Sequence, residues 1–230
     1  MQSLPPPPPS RAPRFLAEWR RFSATYTLVL VNVIVFVYEQ LLNPPAQENF
    51  LINWALIPAR LTGSSNLRFA GITDADFASP AFVTLFTALF LHSGVAHILL
   101  NMFALYGVGR IVESALGTGR FLVLYFVAGL GSSLACLLGY FGQVIPVVGA
   151  SGAVYGLLAG YLLLLPPGPN RTRSVVWLLA FIFLPLVLPG GGFGGIGQIA
   201  VWGHVGGFLV GLAVMQLFVL GRRHPQVTQI

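Results

Sequence analysis

Residues 146–156 read PVVGASGAVYG, and this stretch decides how the rest of the chain is interpreted. Ser151 stands among small residues, and a continuous apolar run follows it directly. The pattern fits a nucleophile at the N-terminus of a helix, where free N–H groups and a partial positive charge would stabilise an oxyanion. A structural interpretation also fits, because Gly149 and Gly152 would let two membrane helices pack closely. The choice depends on the remaining sequence.

The composition predicts an all-α polytopic membrane protein. Hydrophobic residues make up 56% of the 230 residues and charged residues only 8%, with a mean hydropathy of +0.81, whereas soluble domains carry roughly 25% charge. The net charge of +6 comes from arginines scattered between apolar runs, which fits topology signals better than a nucleic-acid interface. The single Cys136 excludes an intramolecular disulfide.

Six apolar runs predict a bundle of six transmembrane helices. They cover residues 25–42, 84–112, 121–140, 151–165, 174–188 and 199–220, which we call the first to sixth spans. Within the second span, we expect the helix proper to begin near His92. We therefore predict a disordered Pro-rich tail over 1–23, a six-helix domain over 24–221 and a short tail over 222–230.

The arginines predict the orientation of these spans. Six spans put both termini on one side of the membrane, and every arginine except Arg60 and Arg68 lies on that side. The positive-inside rule then places both termini in the cytoplasm, and we expect the inner membrane of a bacterium. The connection 43–80 would face outward as an interfacial loop, too short and too interrupted for a core of its own.

Span lengths predict the depth of two polar residues. The fourth span covers 151–165, about 22 Å of helix, whereas the hydrocarbon core is about 30 Å thick. If this span ends at the cytoplasmic face, Ser151 lies roughly 8 Å inside the opposite face. His204 is five residues into the sixth span, at about the same depth.

Further polar residues lie inside the spans, where ionisable groups are costly and often functional. His97 and Asn101 are four residues apart and so share one helix face. Tyr155 lies one turn below Ser151. Two of the polar residues also have a structural explanation. His204 alone could be a structural hydrogen-bonder or a proton relay, and Tyr155 could belong to the ordinary core.

The ordered set of motifs resembles the rhomboid family of intramembrane serine proteases. It comprises His92-x4-His97-x3-Asn101, then Gly149-x-Ser151-Gly152, then His204 followed by Gly207-x3-Gly211. Glu113-x3-Gly117 and the ALIP stretch at 55–58 also fit. The resemblance covers roughly residues 25–220, and it implies a six-helix rhomboid-like bundle.

The resemblance implies a catalytic role for five residues. Ser151 would be the nucleophile and His204 its general base. His97, Asn101 and the Ser151 backbone N–H would form the oxyanion hole. Tyr155 would pack against the ring of His204 and orient it.

The resemblance also implies supporting roles. Gly207 and Gly211 would let the sixth span approach the fourth, where Gly149 and Gly152 flank the serine. His92 would be a structural hydrogen-bonder near the mouth of the site.

The chemistry of the residues favours a Ser-His dyad without a metal or another cofactor. A serine hydroxyl needs a base to attack an amide, and a histidine can serve. A third, carboxylate member is common, but the fourth to sixth spans contain no acidic residue. The pair His97 and Asn101 lacks the ligand count for zinc, and no HExxH motif is present.

Three functions remain open from the sequence. The first is a serine endopeptidase that cleaves transmembrane segments of single-span proteins within the lipid bilayer. The second is a catalytically inactive rhomboid-like protein that binds membrane clients. The third is a transporter with His92, His97 and His204 as a proton relay, against which stands the lack of an obvious internal repeat.

Overall fold

Helices and their connections make up the described chain, as the composition predicted. The computed structural model describes residues 23–73, 76–165, 168–169, 172–173, 175–176 and 197–220, with the backbone alone at 197–200. Within these residues, four helices are long and apolar enough to cross a membrane: Ser23–Leu41, Val95–Leu116, Thr118–Gly139 and Val201–Leu220. They are the first, second, third and sixth spans, and the sixth begins at Gly197. The prediction of an all-α polytopic membrane protein is confirmed.

The fourth span is the short central helix Ser151–Leu164, with 14 residues. Most of its residues are buried, because the third and sixth spans pack against it. A helix that is apolar on every face belongs inside a bundle. The predicted fifth span at 174–188, apart from two residues, and the tails 1–22 and 221–230 lie outside the described residues.

The apolar run 84–112 is broken in two, which corrects the expectation that its helix begins near His92. A helical turn at Thr84–Thr87 lies between the 3-10 turns Ala81–Val83 and Ala88–Phe90. The long helix begins only at Val95, after Gly94 in an extended conformation. Ser and Gly are weak helix formers, and His92 therefore lies in the link before the helix.

The segment 43–80 is largely helical and has a small core, so the expectation of a coreless loop is wrong. Its helices are Pro44–Trp54, Pro58–Thr62 and Asn66–Phe69, and the Asn43 side chain caps the first by accepting from Ala46 N at 3.0 Å. The core consists of Ile57, Ala59 and Leu67, packed against Ile72, Phe77 and Val144. The segment gains burial by using Val144, which precedes the fourth span.

Polar side chains join the beginning of this segment to its end. The Arg60 guanidinium donates to the carbonyl oxygens of Asn53, at 3.3 Å, and Ser79, and lies 3.9 Å from the ring centroid of Phe77. The Asn53 side chain accepts from Ala78 N at 2.5 Å. These side-chain contacts fold the segment back on itself.

Backbone hydrogen bonds hold the approach to Ser151. Leu56 and Val147 form an isolated antiparallel bridge, with N–O distances of 3.1 and 2.8 Å. Gly149 N donates to Ala88 O at 2.8 Å. The chain therefore reaches the fourth span tied to both the segment 43–80 and the turn before the second span.

Glu113, near the end of the second span, satisfies the N-terminus of the first. Its carboxylate accepts from Ala24 N at 3.1 Å, from Thr25 N at 2.9 Å and from Thr25 Oγ1 at 2.7 Å. Thr118 Oγ1 donates to the same carboxylate at 2.8 Å. A negative charge is favourable where helix N–H groups lack intrahelical partners.

Candidate active site

The structure brings the predicted nucleophile and base into contact. Ser151 is the first residue of the fourth span, after Ala150 at the N-cap position. His204 lies in the sixth span and is buried. Its Nε2 is 3.0 Å from Ser151 Oγ, which is within reach for a nucleophile and its base.

Glycine backbones make this distance possible. A methyl group built on Gly207 would overlap the carbonyl oxygen of Gly152, and one on Gly211 would overlap Gly156 Cα. Two helices that touch through their backbones come closer than any pair separated by side chains. The sequence pattern Gly207-x3-Gly211 thus lies where the fourth and sixth spans meet.

The third span also lies against both helices, which the sequence reasoning missed. Ser132 fills the space that a side chain on Gly152 would need, and Ala128 does the same at Gly156. Ser132 is also close to Gly203, the neighbour of His204. Small residues at helical spacing on the third span were a readable signal, but no motif connected them to the site.

Tyr155 stacks on the imidazole of His204. The ring centroids are 4.1 Å apart and the planes meet at 16°. Tyr155 is fully buried, so its ring has little room to move. The contact restricts the rotation of the His204 ring while Nε2 faces Ser151.

His97 approaches the serine across Gly149. Gly149 has a φ of +125°, and a methyl group built on it would lie 2.8 Å from His97 Cε1 and 2.9 Å from Nε2. The same position is 3.8 Å from Ser151 Oγ. Only glycine accommodates both this conformation and the neighbouring imidazole.

Asn101 is buried one turn below His97. Its Nδ2 donates to the backbone oxygen of His97 at 2.9 Å. The amide group carries two N–H donors, so this bond engages one of them.

His92 is fully buried beside His97, with the two rings edge-to-face at 5.1 Å. Within the described residues, neither ring nitrogen makes a hydrogen bond of ordinary geometry. The ring also interacts with the backbone of Phe90, and the role of His92 as a structural hydrogen-bonder stays a prediction.

Ser93 contacts His97 and was missed by the sequence reasoning. Its Oγ is 3.0 Å from His97 Nδ1, and its backbone N–H donates to the same atom at 3.3 Å. A serine just before a long apolar helix is an ordinary helix-start signal, which could have drawn attention to it.

Comparison with known proteins identifies the family. The Rhomboid domain family model matches residues 79–221, more than half of the chain and all of the predicted site residues. The chain therefore belongs to the rhomboid family. It is an integral, multi-pass membrane protein.

Three relatives show the range of the similarity. Rhomboid protease GluP of Bacillus subtilis is 33% identical over 154 residues, which are 65% of this chain and 29% of that protein. RHOMBOID-like protein 1 of Arabidopsis thaliana is 29% identical over 93% of this chain and 59% of its own length. Inactive RHOMBOID-like protein 8 of the same plant is 35% identical over 42% of this chain and 27% of its own length. The chain is therefore a rhomboid intramembrane protease or an inactive relative.

Proposed function

We propose that the chain is an active intramembrane serine endopeptidase. It cleaves transmembrane segments of single-span membrane proteins with the dyad of Ser151 and His204. The observation that carries the proposal is the 3.0 Å contact between His204 Nε2 and Ser151 Oγ. The similarity to a relative named a rhomboid protease supports it.

In the proposed reaction, His204 Nε2 takes the proton from Ser151 Oγ as the oxygen attacks a substrate carbonyl carbon. His204 then gives this proton to the departing amine, which leaves an acyl-serine for water to hydrolyse. Tyr155 holds the imidazole during both transfers. No carboxylate is required, because the stacked tyrosine restricts the ring that an acidic residue would otherwise orient.

Three donors serve the developing oxyanion in this proposal. The Ser151 N–H is at the start of a helix, where N–H groups lack intrahelical partners. His97 lies beside Gly149, and Asn101 has a second amide N–H. Donors that are aimed before the reaction stabilise charge without reorganisation.

The alternative is an inactive membrane-client binder, because one relative is named inactive. The presence of both Ser151 and His204 at 3.0 Å favours the active enzyme. A binder would need neither the hydroxyl nor its distance from the imidazole.

We also propose that both termini lie in the cytoplasm of a bacterium and that the protein is in the inner membrane. The arginine distribution supports this orientation. Cysteine labelling at positions 3 and 228 from either side of sealed vesicles would test it, and labelling from outside intact cells would contradict it.

The activity test uses the purified full chain with a fluorophosphonate probe and a single-span model substrate. Ser151→Ala should lose both covalent labelling and cleavage, with its helical content unchanged. His204→Ala should lose labelling while keeping the serine. Cleavage by Ser151→Ala would exclude Ser151 as nucleophile, and a folded wild-type chain without labelling would favour the inactive binder.

A further inference from the structure

We propose that Ser93 is a positioning residue that fixes the tautomer of His97, so that His97 presents an N–H to the oxyanion from Nε2. This inference rests on the proposed function for its catalytic consequence. The tautomer itself is a property of the resting protein and can be measured without a substrate.

The backbone N–H of Ser93 contacts the His97 ring. Ser93 N lies 3.3 Å from His97 Nδ1, with its hydrogen directed at the ring nitrogen. A backbone N–H can only donate, so Nδ1 must present its lone pair. A proton on Nδ1 would oppose this contact.

The hydroxyl of Ser93 contacts the same ring nitrogen. Ser93 Oγ is 3.0 Å from the same Nδ1, and a serine hydroxyl can rotate to donate or to accept. Beside a nitrogen that already accepts from the backbone, the hydroxyl donates as well. Two donors on one lone pair place the proton of the neutral ring on Nε2.

The other ring nitrogen of His97, Nε2, lies on the side of the ring that faces the approach to Ser151. The Cε1–Nε2 edge of His97 lies against Gly149, two residues before Ser151. A proton on Nε2 therefore faces the approach to the nucleophile, where negative charge would develop. With the opposite tautomer, an imidazole lone pair would face that charge and repel it.

The link before the second span explains how Ser93 can contact His97 Nδ1 with both its backbone N–H and its hydroxyl. Gly94 is extended and the helix begins at Val95, so Ser93 and His97 are four residues apart across the helix start. Ser93 itself is exposed. A substitution there removes the hydroxyl without creating a buried cavity.

The test measures the His97 tautomer and the kinetics on the same variants. In protein labelled with ¹⁵N-histidine, the nitrogen signals of His97, assigned by their loss in His97→Gln, should show Nε2 protonated and Nδ1 unprotonated. Ser93→Ala keeps the backbone donor and loses the hydroxyl. We expect a larger fraction of the Nδ1–H form and a fall in kcat of about 2- to 10-fold, the scale of one neutral hydrogen bond, with KM unchanged.

Two further variants sharpen the test. Ser93→Thr retains the hydroxyl and should restore both the tautomer and kcat. The side chain of Ser93→Asp offers only acceptors to Nδ1 and opposes the backbone donor, so at a pH where the spectra show a neutral ring it should shift the proton towards Nδ1 and lower kcat further. Ser65→Ala is the matched control, because Ser65 also precedes a helix but its side chain makes no capping bond.

The outcomes separate this inference from the proposed function. An unchanged His97 tautomer in Ser93→Ala and Ser93→Asp would overturn it, as would a shifted tautomer with an unchanged kcat. If the wild-type chain cleaves nothing, the proposed function fails, and an Nδ1–H tautomer in its spectra would show independently that Ser93 does not fix the ring.

Discussion

The two sides of Ser151 are held in different ways. On the sixth-span side, the backbones of Gly152 and Gly207 touch, so no side chain lies between them that could move aside. On the second-span side, His97 reaches the site with a side chain that itself rests on Ser93. The dyad distance therefore depends on helix packing, whereas the two side-chain donors proposed for the oxyanion, His97 and Asn101, depend on hydrogen bonds that are separable and partly redundant.

Enlarging Gly207 should break the first arrangement and give the largest effect. In Gly207→Leu, the side chain meets the carbonyl of Gly152, so the helices must separate and His204 must leave hydrogen-bonding distance. A displacement of about 1 Å can cost about 10²-fold, and we expect turnover to fall by at least about this factor. The measurement is turnover per helical, monodisperse protein.

The matched control is Gly107→Leu in the second span, where a side chain would enter open space. It should change turnover by less than about 3-fold, the range of ordinary surface substitutions. Near-normal turnover of Gly207→Leu would contradict backbone contact as the determinant of the dyad distance.

Removing a donor on the other side should have a smaller effect. Loss of one oxyanion donor costs about 10²–10³ in rate elsewhere. Three donors are proposed here, so we expect Asn101→Ala to lower kcat by about 10- to 10²-fold while Ser151 still reacts with the fluorophosphonate probe. Unchanged kcat in both Asn101→Ala and His97→Ala would remove the oxyanion-hole assignment.

In the segment 43–80, we expect side-chain contacts to affect stability and to leave the reaction almost unchanged. Arg60→Met removes two hydrogen bonds and the contact with Phe77. Arg60 is partly exposed, so we expect a loss of about 1 kcal/mol of stability and a lowered melting temperature, with kcat within about 3-fold. Arg68→Met, an exposed change in the same segment, is the control; equal melting temperatures of the two variants would show that the network contributes nothing.

The smallest expected effect is electrostatic and local. Asp76 Oδ2 accepts hydrogen bonds from the Thr73 backbone N–H at 2.7 Å and from the Thr73 hydroxyl at 2.9 Å. These bonds lower the pKa of Asp76 below its ordinary value of 3.8. Because the pKa is lower in the folded state, the ionised carboxylate stabilises the turn at pH values above its ordinary pKa. This contribution is lost as the pH falls through the lowered pKa. The protection factor of the Thr73 amide hydrogen, taken against the intrinsic exchange rate at the same pH, should therefore fall below about pH 4 in wild type. In Asp76→Asn the protection factor should be low at every pH, and equal protection in the two proteins would contradict the assignment.

Much of the site could be predicted from the sequence because its signals are local or ordered along the chain. Ser151 stands before an apolar run, and His204 lies at a similar depth in another, so residue types and span lengths placed both. The glycine spacing in the sixth span indicated a face of small residues, and the resemblance to the rhomboid family predicted that this face would pack against the fourth span.

The rest depends on contacts between distant parts of the chain. Ser132 lies against Gly152 because three helices meet there, which no spacing within one helix encodes. The core of the segment 43–80 brings Ile57 and Ala59 together with Leu67, and Val144 from outside the segment packs against it. The helix after Asn43 could have been predicted, since an Asn cap followed by Pro44 and Pro45 is a start signal.

The bridge between Leu56 and Val147 has a consequence for which substitutions the chain can tolerate. Its bonds, and that from Gly149 to Ala88, join backbone atoms, so they are indifferent to most side chains. Val147 also packs against the cluster of Leu56, Ala88 and Cys136, so in a saturation scan for proteolysis position 147 should accept other apolar residues but reject proline, which lacks the N–H. The path to the serine can thus vary among apolar residues while keeping its course, and intolerance of every apolar substitution at this position would contradict this.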